Sequence, residues 1–153
     1  MKRYDKLIFV STSDTATAPM AEAIMQSKFL LEDLLIESKG LVVLFPEPIN
    51  QKAEAILASN GLSMKDHMSE PLLEEDFDER TLVLVLEEAH KSKIYQEFAN
   101  VKNLHSLNEY VGESGELENP YGGSLQEYGK CFETLDGWIK KLVIKLNEEE
   151  LLC

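Results

Sequence analysis

The chain has 153 residues, 44% of them hydrophobic and 28% charged, which suits one soluble globular domain and leaves too little for two ordinary ones. Lys and Arg number 15 against 28 Asp and Glu, a formal net charge of −13; such a surface repels nucleic acid, anionic membranes and, without a local counter-field, phosphorylated substrates. Cys131 and Cys153 make no CxxC or metal-ligand spacing and the apolar run at 7–10 is too short for a secretory signal, nor does any stretch approach the ~20 residues of a membrane span, so a reducing, cytoplasmic setting without a disulfide framework is expected.

Strand and helix alternate along the chain. Residues 6–10 (KLIFV) are a short apolar run ending in a Ser/Thr/Asp cluster, the pattern of a buried strand feeding a loop. Pro19 opens PMAEAIMQSKFLLEDLL; proline suits a first helical turn, where its missing N–H leaves no bond unmade. Met20, Ala23, Ile24, Phe29 and Leu31 fit one apolar helix face loosely. Residues 35–37 are a weak second strand closed by Ser38-Lys39-Gly40, and Phe45 and Pro46 beyond it are read as cover for the core.

Pro48 precedes a helix with Ile49, Ala53, Ile56 and Leu57 at helical spacing, stopped by Asn60-Gly61 in the left-handed manner glycine favours. Six carboxylates between residues 70 and 79 form a solvated face that would also suit a basic partner. Residues 81–86 (TLVLVL) are the clearest strand, apolar throughout and so buried on both faces. Residues 87–98 supply the following helix, with His90 as a surface or capping residue, and residues 101–107 a short fourth strand. A long last helix over 125–146 lines up Tyr128, Phe132, Leu135, Ile139, Leu142 and Leu146; Trp138 and Cys131 join the core, and the tail from 148 frays.

Strand–helix units in series imply parallel strands and a three-layer, doubly wound α/β fold with a four-stranded parallel sheet flanked by helices. Ligands in such folds sit at the carboxyl ends of strands where the strand order reverses. That points to the loop formed by Ser11, Thr12, Ser13, Asp14, Thr15, Ala16, Thr17 and Ala18.

The segment FVSTSDTATAPMAEAIM resembles the phosphate loop of the low-molecular-weight protein tyrosine phosphatases and their arsenate reductase relatives, in which a strand, Cys-x5-Arg-Ser/Thr, a proline and a helix often reading PMAEA follow one another. Ser38-Lys39-Gly40, Asp66-His67, the TLVLVL strand and Asn119-Pro120-Tyr121 fall where that family has its Ser-Ala-Gly, a histidine, its third strand and Asp-Pro-Tyr. The resemblance spans nearly the whole chain and places Ser11 on the nucleophile, Thr17 on the phosphate-binding arginine and Asn119 on the general acid.

The chemistry that the resemblance implies needs a thiolate nucleophile, a planar, permanently charged fork for two phosphoryl oxygens and an acid to protonate the leaving group. None of the three is present at its family position. A serine hydroxyl needs a base, a threonine carries no charge, and an amide delivers no proton. Ser13 stands on a usual glycine, Ala18 on a supporting Ser/Thr, and Asp14 on a usual asparagine whose left-handed backbone an aspartate can also adopt.

The reading is therefore a catalytically inactive phosphatase-like protein that binds a protein partner of unknown identity, an active relative and a basic protein being candidates, with neither nucleic acid nor membrane among its targets. Two alternatives stay open. One is a binder of a small polar ligand or oxyanion in the old loop, with Tyr121 at its rim, where helix N–H groups and the loop hydroxyls supply donors. The other is a residual phosphatase using Ser11 with a base from elsewhere. No metal or organic cofactor is implied.

Overall fold

A computed structural model describes residues 3–31 and 33–150. Its core is a parallel sheet of β1 (Lys6–Ser11), β2 (Leu35–Gly40), β3 (Thr81–Val85) and β4 (Leu104–Ser106), in the order β2-β1-β3-β4. The helices are α1 (Thr17–Gln26), α2 (Gln51–Ser59), α3 (Ala89–Glu97), a short α4 (Leu107–Tyr110) and α5 (Leu125–Lys145). β1 lies between β2 and β3, so the chain reverses direction across the sheet at β1 and opens a crevice beyond its carboxyl end.

Strand pleating sends alternate residues to opposite faces, and both faces are covered. Leu7, Phe9, Leu82 and Leu84 pack with α1, α2 and α5, through Met20, Ile24, Leu57, Leu135 and Ile139. Ile8, Val10, Val83 and Val85 pack with Ile94 of α3, Phe77 and Leu104. This two-sided burial is the reason the β1 and β3 sequences are apolar without alternation. Trp138 and Cys131 are buried as expected; burial pushes the Cys131 thiol up to about 12, which leaves it an inert apolar group.

Several boundaries differ from the sequence expectation. α1 stops at Gln26, where Ser27 N–H bonds the carbonyls of Ala23 and Ile24. Phe29 and Leu31 lie beyond that end and are 77% and 52% exposed, so they belong to no helix face. β2 runs on through Ser38-Lys39-Gly40, because its edge pairs in register with β1, Ser11 opposite Gly40, and Lys39 is held by Glu70 at 3.0 Å. Phe45 and Pro46 cover nothing and are exposed, together with Leu44. The last helix continues through a π-helical turn over Leu146–Glu150 instead of fraying at 148. The rest of the tail, 151–153 with Cys153, lies outside the described residues.

Asn50 precedes α2 and its side-chain oxygen accepts from the N–H groups of Lys52 and Ala53, at 2.8 and 3.1 Å. Asn50→Ala should therefore lower stability by about 1 kcal/mol, read as a shift of the urea midpoint at unchanged slope.

Candidate functional site

The loop after β1 is tethered through its own carbonyl groups. Ser11 O accepts from Leu41 N–H at 3.0 Å, Thr12 O from Val42 N–H at 2.8 Å, Thr15 O from Asn50 N–H at 2.7 Å and Ala16 O from Met20 N–H at 3.0 Å. The Asp14 carbonyl accepts from His67 Nε2 at 2.7 Å. A trans peptide aims its N–H opposite to its C=O. The N–H groups of Thr12, Ser13, Thr15 and Ala16 thereby point away from these tethers, and all four residues line the concave side of the loop. Such a backbone nest favours hydrogen-bond acceptors and negative charge.

Asp14 takes the left-handed conformation, φ 57°, as its place in the loop demands. Gly40 explains why the loop can lie so close to β2. A Cβ there would sit 2.9 Å from the Ser13 carbonyl carbon and 3.0 Å from Asp14 N. Gly40→Ala should cost about 1–3 kcal/mol through overpacking, measured by denaturant unfolding.

The concave side is a cavity of about 380 Å³. Of the residues singled out in the sequence, Ser11, Thr12, Ser13, Thr15, Ala16, Thr17, Asn119 and Tyr121 line it. Two do not. Ala18, in the first turn of α1, is fully buried in the core. Asp14 is also fully buried, and its Oδ2 accepts from Glu70 N–H at 3.0 Å behind the loop. Val42 and Asn50 complete the lining. Neither is predictable from the loop itself, though Val42 belongs to the apolar run at 41–45 after Gly40 and Asn50 follows Pro48 at a helix start.

The side chains in the cavity make a neutral surface. Ser11 Oγ accepts from Asp14 N–H at 3.1 Å, and the Ser13 and Thr15 hydroxyls lie 2.7 Å apart. Asn119 Oδ1 accepts from Tyr121 N–H at 3.0 Å, which shapes the Pro120 turn, while the Tyr121 side chain is 86% exposed at the rim. No lining residue carries a charge.

Titratable groups stand behind and beside the loop instead. Burial pushes the Asp14 carboxyl above the ordinary carboxylate range, against the opposing pull of the Ser38 hydroxyl, the Glu70 N–H and His67. Asp14 Oδ1 and the Ser38 hydroxyl complete no hydrogen bond of ordinary geometry. Glu22 of α1 is raised by burial too and lines a second cavity, of about 460 Å³, on that side together with Ser38, Lys39, His67 and Glu70. His90 is not the surface residue expected. Its Nε2 lies 3.1 Å from Thr12 Oγ1 and 3.5 Å from Glu87 Oε2, and burial lowers its pKa. Thus His67 and His90 both brace the loop, from 53 and 78 residues away in sequence. Both bond loop atoms other than Ser11 Oγ.

Comparison with known proteins gives a consistent picture. Residues 6–151 match the model of the family described as low molecular weight phosphotyrosine protein phosphatase. The low molecular weight protein-tyrosine-phosphatase PtpB of Staphylococcus haemolyticus is 30% identical over 141 residues, covering 90% of this chain and 96% of its own. Among solved structures, a low molecular weight protein tyrosine phosphatase from T. tengcongensis superposes with a TM-score of 0.84 at 33% identity, over 92% of this chain and 98% of its own. The YwlE arginine phosphatase from Geobacillus stearothermophilus gives 0.87 at 29% identity, over 94% of each chain. A YwlE cysteine-to-serine mutant, 30% identical with a TM-score of 0.85 over 94% of this chain and 97% of its own, carries a phosphorylated active-site serine.

Proposed function

The chain belongs to the low molecular weight phosphotyrosine protein phosphatase family, and from that membership we propose that it is a catalytically silent member whose phosphate loop serves as a recognition pocket for a protein partner. One observation carries this reading: the cavity formed by the loop after β1 has a backbone fixed by its carbonyl tethers and a lining without a charged side chain. Hydrolysis needs charge where the transition state develops it. Loss of one such stabiliser costs about 10²–10³ in rate, and loss of a general acid roughly 10²–10⁴. A serine without a base bonded to it adds a further barrier.

The nearest competing reading is a slow phosphoryl acceptor at Ser11. The phosphorylated serine of the YwlE mutant favours it, because it documents that a serine in a similar fold holds a phosphoryl group. Against it stands Thr17, which offers the transferring group no fixed positive charge.

The two separate cleanly. The native chain and Ser11→Ala are incubated with an aryl phosphate, a phosphotyrosyl peptide and a phosphoarginyl peptide, and both product and intact mass are followed. The proposal expects identical background turnover and no phosphoryl adduct on either protein. Turnover or an adduct that vanishes in Ser11→Ala would assign the chain to the competing reading.

A further inference from the structure

We propose that the partner element recognised by this pocket is an unphosphorylated tyrosine side chain flanked by arginine or lysine, so that phosphorylation of that tyrosine releases the partner. This deepens the reading of a silent recognition pocket and rests on it.

The cavity asks for a side chain with an apolar body and a polar tip. Val42 and Tyr121 stand at its walls, 47% and 86% exposed. Ser11, Thr12, Ser13, Thr15 and Thr17 bring hydroxyls to the same lining. Tyrosine has that division within one side chain, and its phenolic oxygen both donates and accepts.

A phosphate dianion fits the same place poorly. Thr17 supplies no guanidinium, the Asp14 N–H is engaged by Ser11 Oγ, and the chain carries a net charge of −13. The sign of recognition is thereby reversed relative to a site built around an esterified phosphate.

The flanking charges follow from the next recess along the surface. It holds about 360 Å³, shares Asn119 with the tyrosine cavity and is lined by Glu116, Glu118 and Glu127 against the single cation Lys130. A basic side chain next to the inserted tyrosine would be placed over these carboxylates. Complementary charge at such a rim raises the association rate and suppresses acidic partners.

The test uses the full chain and four short synthetic peptides. The first has a central tyrosine between arginine pairs. The second is its phosphotyrosine form, the third has alanine at the centre, and the fourth has the tyrosine between glutamate pairs. Binding is measured by calorimetry at low and physiological salt, with release of phosphate followed in parallel. The arginine-flanked tyrosine peptide should bind at least ten-fold more tightly than each of the other three, and added salt should weaken it.

Tyr121→Ala should remove most of the preference for tyrosine over alanine. Glu116→Gln with Glu118→Gln should narrow the gap between arginine- and glutamate-flanked peptides. Thr17→Arg should turn the preference toward the phosphotyrosine peptide. Equal or tighter binding of the phosphotyrosine or alanine peptide by the native chain overturns the inference, as does no measurable binding of the tyrosine peptide. Those failures leave the silent-pocket reading standing. Release of phosphate from the second peptide in a Ser11-dependent manner would bring down the silent-pocket reading itself and this inference with it.

Discussion

Ser11→Cys, Thr17→Arg and Asn119→Asp combined in one chain should raise aryl phosphate turnover at least about 10³-fold over the native protein, with each single change giving little. The cooperative form of the expectation follows from the geometry. Position 11 already lies in the cavity with the loop N–H groups around it, and N–H dipoles lower the pKa of a cysteine thiol. Position 17 opens α1 and lines the same cavity, so a guanidinium there has a phosphoryl group within reach.

Position 119 borders both this cavity and the recess containing Glu116, Glu118 and Glu127. Like charges nearby disfavour ionisation of a new carboxyl, which helps it remain the proton donor that leaving-group departure requires. Steady-state kinetics with an aryl phosphate reads the outcome, and a substrate-derived phosphoryl adduct on the new thiol would support it. A folded but silent triple variant would mean that the loop no longer has the shape its tethers describe.

The second large effect is on stability and its pH dependence. Asp14→Asn should stabilise the protein by about 1–3 kcal/mol at neutral pH, the range for relieving an ill-satisfied buried polar group. Asparagine tolerates the same left-handed backbone. Its carbonyl can still accept from Glu70 N–H, and its amide adds donors beside the Ser38 hydroxyl.

The folded-state pKa of Asp14 is above its ordinary 3.8. The folded protein therefore holds that proton more tightly than the unfolded chain does. Its burden on the fold is absent below 3.8 and grows as pH rises through the elevated value. The Tm gap between Asp14→Asn and the native chain should thus open on going from acid to neutral pH and close again in acid. Glu22, His67 and Glu70 face the same cluster and remain in both proteins, so they cancel in the comparison to first order. A gap that stays constant across that range would show that Asp14 is accommodated without cost.

The central strands and the loop between β1 and α1 are legible in the sequence because their signals are local. Runs at 6–10 and 81–86 are apolar on both faces, and PMAEA marks a helix start beside a polar cluster. β2 is less legible, since Glu37 and Lys39 disguise a strand whose length is fixed by pairing with β1 and by the Lys39–Glu70 contact. The stretch FLLEDLL has helix-forming residues in plenty, yet it packs on the core through Leu30 and Leu34 while Phe29 and Leu31 stay largely exposed, and helices in proteins depend on a packing surface more than on propensity.

At the site, the sequence identifies which residues share a loop but not which way each side chain faces. Asp14 and Ala18 point into the body of the protein while their neighbours line the cavity. The bracing roles of His67 and His90 depend on contacts across 53 and 78 residues, which no local pattern encodes.

The carbonyl tethers and the tight backing at Gly40 have a kinetic corollary. The mouth is already assembled before any visitor arrives, so the loss of freedom on docking falls on the visitor alone. Encounter should then proceed in a single exponential phase whose rate rises linearly with ligand concentration, without a slow rearrangement afterwards. Differences in strength among visitors should appear in how long each one stays.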